Sequence, residues 1–165
     1  MASAGKLRGH KHQMYEGGIH VPSLMVWKGK LKEGSVCPER VGTVDYLPTI
    51  LDLLDLPAIN DRPIDGVSMV PVLAGKPASK RTYPLAAGFM RLYDDLETSS
   101  LIEGDYKICI PVKRGKLEMY NLKKDPYETT DISTKEPEIF NDLKEKLEAV
   151  KKSWLHSRDG GDYEW

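Results

Sequence analysis

The spacing of apolar positions changes near residue 81 and predicts two kinds of structure on either side. Residues 24–27 (Leu-Met-Val-Trp) form a short apolar run bounded by turn residues, which predicts a buried strand. Four leucine and isoleucine positions then recur at helical spacing: Leu47, Ile50, Leu51 and Leu54. Asp45 is expected to cap this helix, with Pro48 in its first turn. A shorter helix, capped by Ser68, is expected after the loop at 60–63.

From residue 81 onward the pattern predicts a sheet. Four short apolar or β-branched runs are separated by turn residues, so neighbouring runs can pair antiparallel: 85–92, 99–102, 106–112 and 117–121. Pro111 cannot donate to a ladder and should lie at a strand end. The last predicted element is a helix over about 137–155. Its apolar side chains share one stripe: Ile139, Phe140, Leu143, Leu147, Val150 and Trp154. No role is assigned to Tyr163 and Trp165 in the tail.

The composition and charge of the chain limit the classes of molecule that it is expected to bind. The chain is 40% hydrophobic and 30% charged, and no apolar run approaches the roughly 20 residues of a membrane span. The net charge of −1 conceals a basic start, net +5 over residues 1–32, which favours a small anionic substrate. Nucleic acid is not expected, because a sustained basic stripe with aromatic residues is missing. Cys37 (expected exposed) and Cys109 (expected buried) do not form a disulfide framework. The cellular compartment stays open.

Candidate chemistry is concentrated in residues 7–22, Leu-Arg-Gly-His-Lys-His-Gln-Met-Tyr-Glu-Gly-Gly-Ile-His-Val-Pro. Five side chains there can hold an anion: Arg8, His10, Lys11, His12 and His20. A Gly-Gly pair beside them permits a sharp turn that fixes Lys11. Zinc bound by the histidines with Glu16 as a third ligand is an alternative. It is less favoured than histidines lining an anion pocket.

This stretch resembles the sulfatases of the alkaline-phosphatase-like superfamily, whose pattern is close to Leu-Arg-Gly-x-Lys, Glu-Gly-Gly and Val-Pro. The resemblance implies that Lys11 contacts the substrate's sulfate, with Arg8, His10, His12 and His20 as substrate-binding candidates. His20 stands where the family usually has arginine. Looser resemblance reaches about residue 155 and includes Asp125-Pro126-Tyr127-Glu128.

Two parts of the sulfatase chemistry do not occur in the sequence. The family's nucleophile is a formylglycine made from the first residue of Cys/Ser-x-Pro-x-Arg, and the 165 residues contain no such segment. Cys109-Ile110-Pro111-Val112-Lys113 is a near miss, interpreted as coincidence. The upstream Asp-Asp pair and the Asp-Asn pair that hold the family's calcium are absent too, since the adjacent Asp94 and Asp95 lie far downstream of the Glu-Gly-Gly sequence. No cofactor is therefore expected in this chain, whereas calcium and formylglycine are implied for the complete parent.

These observations predict the C-terminal portion of a sulfatase, inactive by itself. Residues 1–80 should be the end of the parent's α/β core, and 81–165 a four-stranded antiparallel sheet packed by one long helix. The expected partner is a sulfate ester, together with self-association or a separate N-terminal portion. Two alternatives are a non-catalytic binding or assembly module and part of a related metal-dependent phosphoesterase.

Overall fold

A computed structural model describes residues 4–58, 64–89, 98–112 and 115–162. These residues form two compact units, one made of residues 1–21 and 85–165 and the other of residues 22–84. The helices are α1 (Glu16–Ile19), α2 (Tyr46–Leu53), α3 (Val70–Leu73) and α4 (Pro137–Arg158), and a 3₁₀ turn (Thr43–Asp45) precedes α2. The strands are β1 (Leu85–Phe89), β2 (Thr98–Glu103), β3 (Tyr106–Ile110) and β4 (Glu118–Asn121). The division at residue 80 into pieces of a parent's domains stays a prediction.

The predicted antiparallel sheet is confirmed. Its strand order is β1-β2-β3-β4, and each strand pairs antiparallel with the next one along the chain. Ser99 lies opposite Ile110, and Tyr106 lies opposite Asn121. Gly104 turns the β2–β3 hairpin with φ of 56°, a backbone angle that glycine adopts without a steric cost. Pro111 directly follows β3, at the strand end where its missing N–H disrupts no ladder.

One face of the sheet packs on α4. The predicted stripe supplies Leu143 and Leu147, which are buried against the strand residues Leu101, Ile108 and Met119. Successive side chains of a strand point to opposite faces, so the residues between these strand positions face away from α4. The long C-terminal helix is thus confirmed and extends three residues beyond its predicted end, to Arg158.

Residues 4–21 cover the other face of the sheet. Met14 and Tyr15 are buried there against Cys109, Tyr120 and Leu122. The backbone N–H of Met14 also donates to the carbonyl of Pro111 at 2.9 Å. The unit that contains the sheet is therefore built from two stretches of chain that are far apart in the sequence.

The unit of residues 22–84 departs from the sequence prediction in two places. The predicted buried strand at 24–27 is wrong: Leu24 is 88% exposed, Val26 is 81% exposed, and neither lies in a strand. A strand needs a neighbour to satisfy its backbone groups, and the described residues of this unit contain no other strand. Helix α2 forms as predicted, but its apolar residues Leu47 and Ile50, and Leu54 directly after it, remain about half exposed.

The predicted cap of α2 by Asp45 is also wrong. Asp45 precedes α2 with helical backbone angles and makes no side-chain hydrogen bond to it. Both carboxylate oxygens have other donors: the N–H groups of Gly42 and Val67 and the guanidinium of Arg81. Ser68 lies two residues before the first residue of α3, and its Oγ accepts the N–H of Val70 at 3.2 Å.

Several sequence predictions fall outside the described residues. These are the loop at 60–63, the end of the first predicted strand at 90–92, Lys113 of the near-miss motif, and Tyr163 and Trp165. None of the described helices combines the length and apolar character needed to cross a membrane.

Candidate functional site

Residues 8–18, which end in the first three residues of α1, form a loop that closes on itself. The N–H of Gly17 donates to the carbonyl of Arg8 at 2.7 Å, which joins the two ends of the loop. Inside the loop, the N–H of Gln13 donates to the carbonyl of His10 at 3.0 Å. The Gln13 side chain in turn accepts the N–H of His10 at 3.1 Å. These hydrogen bonds fold the loop locally.

The Gly-Gly pair is required by close backbone contacts. A Cβ at Gly17 would lie 2.5 Å from the carbonyl oxygen of Arg8, and one at Gly18 would overlap the carbonyl oxygen of Gln13. Gly9 has φ of 84°, and a Cβ there would meet the side chain of Tyr15. Any larger residue at these three positions would open the loop, which is the physical reason for glycine in the Glu-Gly-Gly sequence.

His10, Lys11 and His12 lie at the exposed tip of this loop. His12 has φ of 76°, and one ring nitrogen of His10, Nδ1, lies 2.9 Å from the carbonyl oxygen of Lys11. In the described part of the chain, no hydrogen bond or ion pair engages the Lys11 ammonium. Three of the predicted anion-binding residues are thus presented together, with a cation accessible to a ligand.

Arg8 faces away from the tip, into a cluster of tyrosines. Its guanidinium lies 4.0 Å from the centre of the Tyr15 ring and donates to the Tyr120 hydroxyl at 2.9 Å. It also donates to the carbonyl of Glu128 at 2.7 Å. Both tyrosine hydroxyls donate to the carboxylate of Glu118. Burial, together with Glu118, raises the pKa of Tyr15 to about 12. In this arrangement the Arg8 cation stabilises the base of the loop.

Beneath the loop lies a charged cluster that the sequence did not predict, composed of Glu16, Lys107 and Glu128. The Lys107 Nζ lies 2.7 Å from Glu16 Oε1 and 2.8 Å from Glu128 Oε1. Lys107 and Glu128 side chains are 0% exposed, and that of Glu16 is 9% exposed. Glu128 Oε2 accepts the backbone N–H of Glu16 at 2.6 Å. The available signal was a lysine inside an otherwise apolar strand, since a lysine is rarely buried without a partner.

Glu16 also determines the position of His20. The His20 Nδ1 lies 3.1 Å from Glu16 Oε2, one helical turn away, and its ring is largely exposed. His20 is therefore attached to the charged cluster, whereas His10 and His12 belong to the tip.

Within the cluster, burial raises the pKa of the Glu128 carboxyl, and the nearby Lys107 ammonium opposes that rise.

The described residues do not fit a metal site. Among residues 4–58, 64–89, 98–112 and 115–162, no three His, Cys, Asp or Glu side chains converge as ligands. These residues give no support to the zinc alternative built on His10, His12 and His20 with Glu16, because Glu16 is buried against Lys107. The same carboxylates, each paired with an ammonium, do not form the oxygen cage that calcium requires.

Cys109 does not have the properties of a nucleophile. It is fully buried in β3, and burial raises the pKa of its thiol to about 12. A thiol with that pKa forms almost no thiolate at neutral pH. This agrees with the interpretation of Cys109-x-Pro111 as a coincidental match. Cys37 is exposed, as predicted.

Comparison with known proteins gives one family match that covers most of the chain. The family model described as "N-sulphoglucosamine sulphohydrolase, C-terminal" matches residues 9–153. Rat "Arylsulfatase K" is 30% identical over 150 residues, covering 86% of this chain and 26% of the relative. The chain thus spans about a quarter of that relative's length.

Solved structures give the same fold. The structure described as "Crystal structure of Ps i-CgsB" has a TM-score of 0.76 at 21% identity, covering 88% of this chain and 32% of the other. A second, "Structure of BT4656 in complex with its substrate D-Glucosamine-2-N, 6-O-disulfate", has a TM-score of 0.52 at 22% identity. It covers 67% of this chain and 24% of the other.

Proposed function

This chain belongs to the sulfatase family described as N-sulphoglucosamine sulphohydrolase, C-terminal, and we propose that it contributes Lys11 to the sulfate-binding site of a sulfuric ester hydrolase. The observation that carries the proposal is the exposed Lys11 at the tip of a loop closed by the Glu-Gly-Gly sequence. The family membership supports the reaction class, and the loop supports the residue.

Lys11 would act by electrostatic stabilisation. A sulfate ester carries negative charge on its sulfate oxygens, and the leaving oxygen becomes more negative as the S–O bond breaks. An ammonium held against a sulfate oxygen stabilises that charge without having to move during the reaction. A residue in a closed loop is suited to this, since preorganised groups stabilise a transition state best. His10 and His12, next to Lys11, can donate hydrogen bonds to the remaining oxygens.

Turnover by this chain alone is not part of the proposal. The formylglycine-forming segment does not occur in the 165 residues, and no Asp-Asp or Asp-Asn pair precedes the Glu-Gly-Gly sequence. Cys109 is buried and unreactive at neutral pH, so it does not replace the nucleophile. An in-frame Cys/Ser-x-Pro-x-Arg segment in the coding DNA upstream would supply it.

The substrate is proposed only as a sulfate ester. The BT4656 protein has a disulfated glucosamine, D-glucosamine-2-N,6-O-disulfate, as its substrate. At 22% identity that likeness concerns the fold, so it does not select among sugar, steroid and aryl sulfates for this chain.

The test is a sulfate titration of the ¹⁵N-labelled chain, followed by amide chemical shifts. Sodium sulfate should shift the amides of residues 10–12, and sodium chloride at equal ionic strength should not. Lys11→Ala should abolish the sulfate-specific shifts. Lys30→Ala, which removes an exposed lysine from the other unit, should leave them unchanged. Equal shifts in the Lys11→Ala chain would contradict the proposal.

The alternative of a non-catalytic assembly module is favoured by one observation. Residues 22–56 expose many large apolar side chains, among them Leu24, Val26, Val36, Ile50 and Leu54. Exposed large apolar side chains in this number favour an interaction site over a purely solvated face.

A further inference from the structure

Glu128 contacts both sides of the loop that carries Lys11. Its backbone carbonyl accepts from Arg8, three residues before Lys11, and its carboxylate accepts the backbone N–H of Glu16, five residues after. Glu128 itself has φ of 55°, a conformation uncommon for a residue with a side chain. One residue from the distant segment after β4 thus fixes the two ends of the loop at once.

Lys107 makes this attachment electrostatically stable. Glu16 and Glu128 place two carboxylates in a buried space, where two like charges repel and burial opposes ionisation. The Lys107 ammonium lies within 2.8 Å of one oxygen of each carboxylate and compensates them. It projects from β3, a strand held on both sides by ladder hydrogen bonds. Its position is therefore imposed by the sheet and not by the loop.

We propose that Lys107 and Glu128 are positioning residues for Lys11, acting through Glu16 and Arg8 to hold the anion-binding loop on the rigid sheet. Neither residue would touch the sulfate, since both are fully buried beneath the loop. The inference rests on the proposed contact between Lys11 and sulfate. It adds that the sequence Asp-Pro-Tyr-Glu at 125–128 and the lysine of β3 serve the same site, although they lie about 100 residues away in the chain.

A purely structural role predicts a different response to mutation. If the cluster only stabilises the unit, its loss lowers the protection from amide hydrogen exchange in the loop and in α4 together. If it positions the loop, its loss frees the loop while the sheet and α4 stay intact. The amides of Met14 and Gly17, bonded to Pro111 and Arg8, report on the loop. The amides of Leu143 and Leu147 report on α4.

The experiment is amide hydrogen exchange on the full chain, comparing wild type with Glu128→Ala. We expect the Met14 and Gly17 amides to exchange at least tenfold faster, with less than twofold change at Leu143 and Leu147. The matched control is Glu103→Ala, which removes a carboxylate paired with Lys146 at 2.5 Å on the other side of the sheet. It should leave the loop amides unchanged. Unchanged loop exchange, or equal acceleration in α4, would overturn the proposal.

Glu128→Gln keeps the test decisive if the alanine variant does not fold. Its amide oxygen can still accept the Glu16 N–H, but it no longer compensates Lys107. In Glu128→Gln we expect the loop amides to exchange at a rate intermediate between those of wild type and Glu128→Ala. We also expect the sulfate-induced shifts at residues 10–12 to be restored. If loop exchange in the glutamine variant equals that of the wild type, the ion pair has no positioning role.

The sulfate titration separates failure of this inference from failure of the proposed function. Loss of the sulfate-induced shifts in Glu128→Ala, with α4 still protected, supports positioning. Full-size shifts in a chain whose loop exchanges freely overturn it. If Lys11→Ala leaves the sulfate shifts unchanged, the proposed function fails, while the exchange data still report whether Glu128 orders the loop.

Discussion

The guanidinium of Arg81 binds the fully buried carboxylate of Asp45 through two hydrogen bonds, at 2.8 Å and 2.5 Å. The same carboxylate accepts the backbone N–H groups of Gly42 at 2.8 Å and Val67 at 2.9 Å. Asp45 therefore connects the turn before α2 to two segments further along the chain. A planar, bidentate pair of this kind is among the stronger charge-assisted contacts in proteins.

Asp45→Asn should destabilise the unit of residues 22–84. The substitution leaves Arg81 without its counter-charge and replaces one accepting oxygen by a donor. Loss of one partner of a buried ion pair costs about 3–5 kcal/mol, and we expect the lower end because the Arg81 side chain is 20% exposed. The loss in free energy of unfolding is measured by a urea titration in which the amide signals of this unit are monitored. Glu39→Gln, an exposed carboxylate in the same unit, should change stability by less than about 0.5 kcal/mol.

The same carboxylate should make this unit sensitive to acid. Burial alone would raise the pKa of Asp45, but the hydrogen bonds from Arg81, Gly42 and Val67 outweigh it and lower the pKa below its ordinary value. A lowered pKa in the folded state contributes stability that is present above the unfolded pKa and lost as pH falls through the folded value. Wild type should therefore lose stability below about pH 4, and Asp45→Asn should show a flatter profile there. Parallel profiles for the two chains would refute the assignment.

Leu147→Ala should lower the free energy of unfolding by about 2–5 kcal/mol, the usual cost of truncating a buried leucine. Leu147 is fully buried between α4 and the sheet, so the cavity cannot fill with solvent easily. Chemical denaturation gives the value. Lys144→Ala changes an exposed position on the same helix and should be nearly neutral. A loss below about half a kcal/mol for Leu147→Ala would mean that α4 does not depend on this contact.

Cys37 and Cys109 should differ strongly in reactivity. Cys37 is exposed, whereas Cys109 is buried and the pKa of its thiol is raised to about 12. Alkylation with iodoacetamide at neutral pH should modify Cys37 within minutes and Cys109 only in denaturant. Peptide mass spectrometry locates the label. Rapid modification of Cys109 in the folded chain would show that β3 opens far more readily than the sheet implies.

The purified chain should not hydrolyse an aryl sulfate. The formylglycine segment does not occur in the sequence, and the one cysteine in a similar context is buried. Release of 4-nitrophenol from its sulfate ester, with and without added calcium, is the assay. The Lys11→Ala chain serves as the background control. Calcium-dependent release by wild type above that background would show that another group provides the nucleophile.

The exposed apolar surface of residues 22–56 should cause self-association. Leu24 and Val26 extend into solvent, and burying apolar surface against another chain lowers the free energy of the system. Light scattering at tens of micromolar should give a mass above the 18.6 kDa of one chain. Replacing both residues by serine should lower that mass. Tyr127→Ser, at an exposed aromatic residue of the other unit, should not. A monodisperse 18.6 kDa wild-type chain would contradict the expectation.

Local signals in the sequence were enough to predict several elements. Short strand runs separated by turns indicated the order and pairing of β1 to β4, because adjacent runs with tight turns pair most readily with each other. The apolar stripe of α4 identified Leu143 and Leu147 as part of its buried face. The Glu-Gly-Gly sequence marked a closed loop, since its glycines lie where backbone atoms leave no space for a Cβ. In each case the information lies within one helix, hairpin or loop.

Contacts between distant segments determined what covers the second face of the sheet and which charges meet there. The periodicity of β3 marks Lys107 as facing away from α4, and the strand pattern alone would leave it in solvent. It is buried because residues 4–21 lie on that face and bring Glu16 to it across 91 positions of chain. The strand predicted at 24–27 failed for the related reason that an apolar run becomes a strand only beside a partner. Burial and pairing arise from tertiary contacts, and the pattern of a single segment does not contain them.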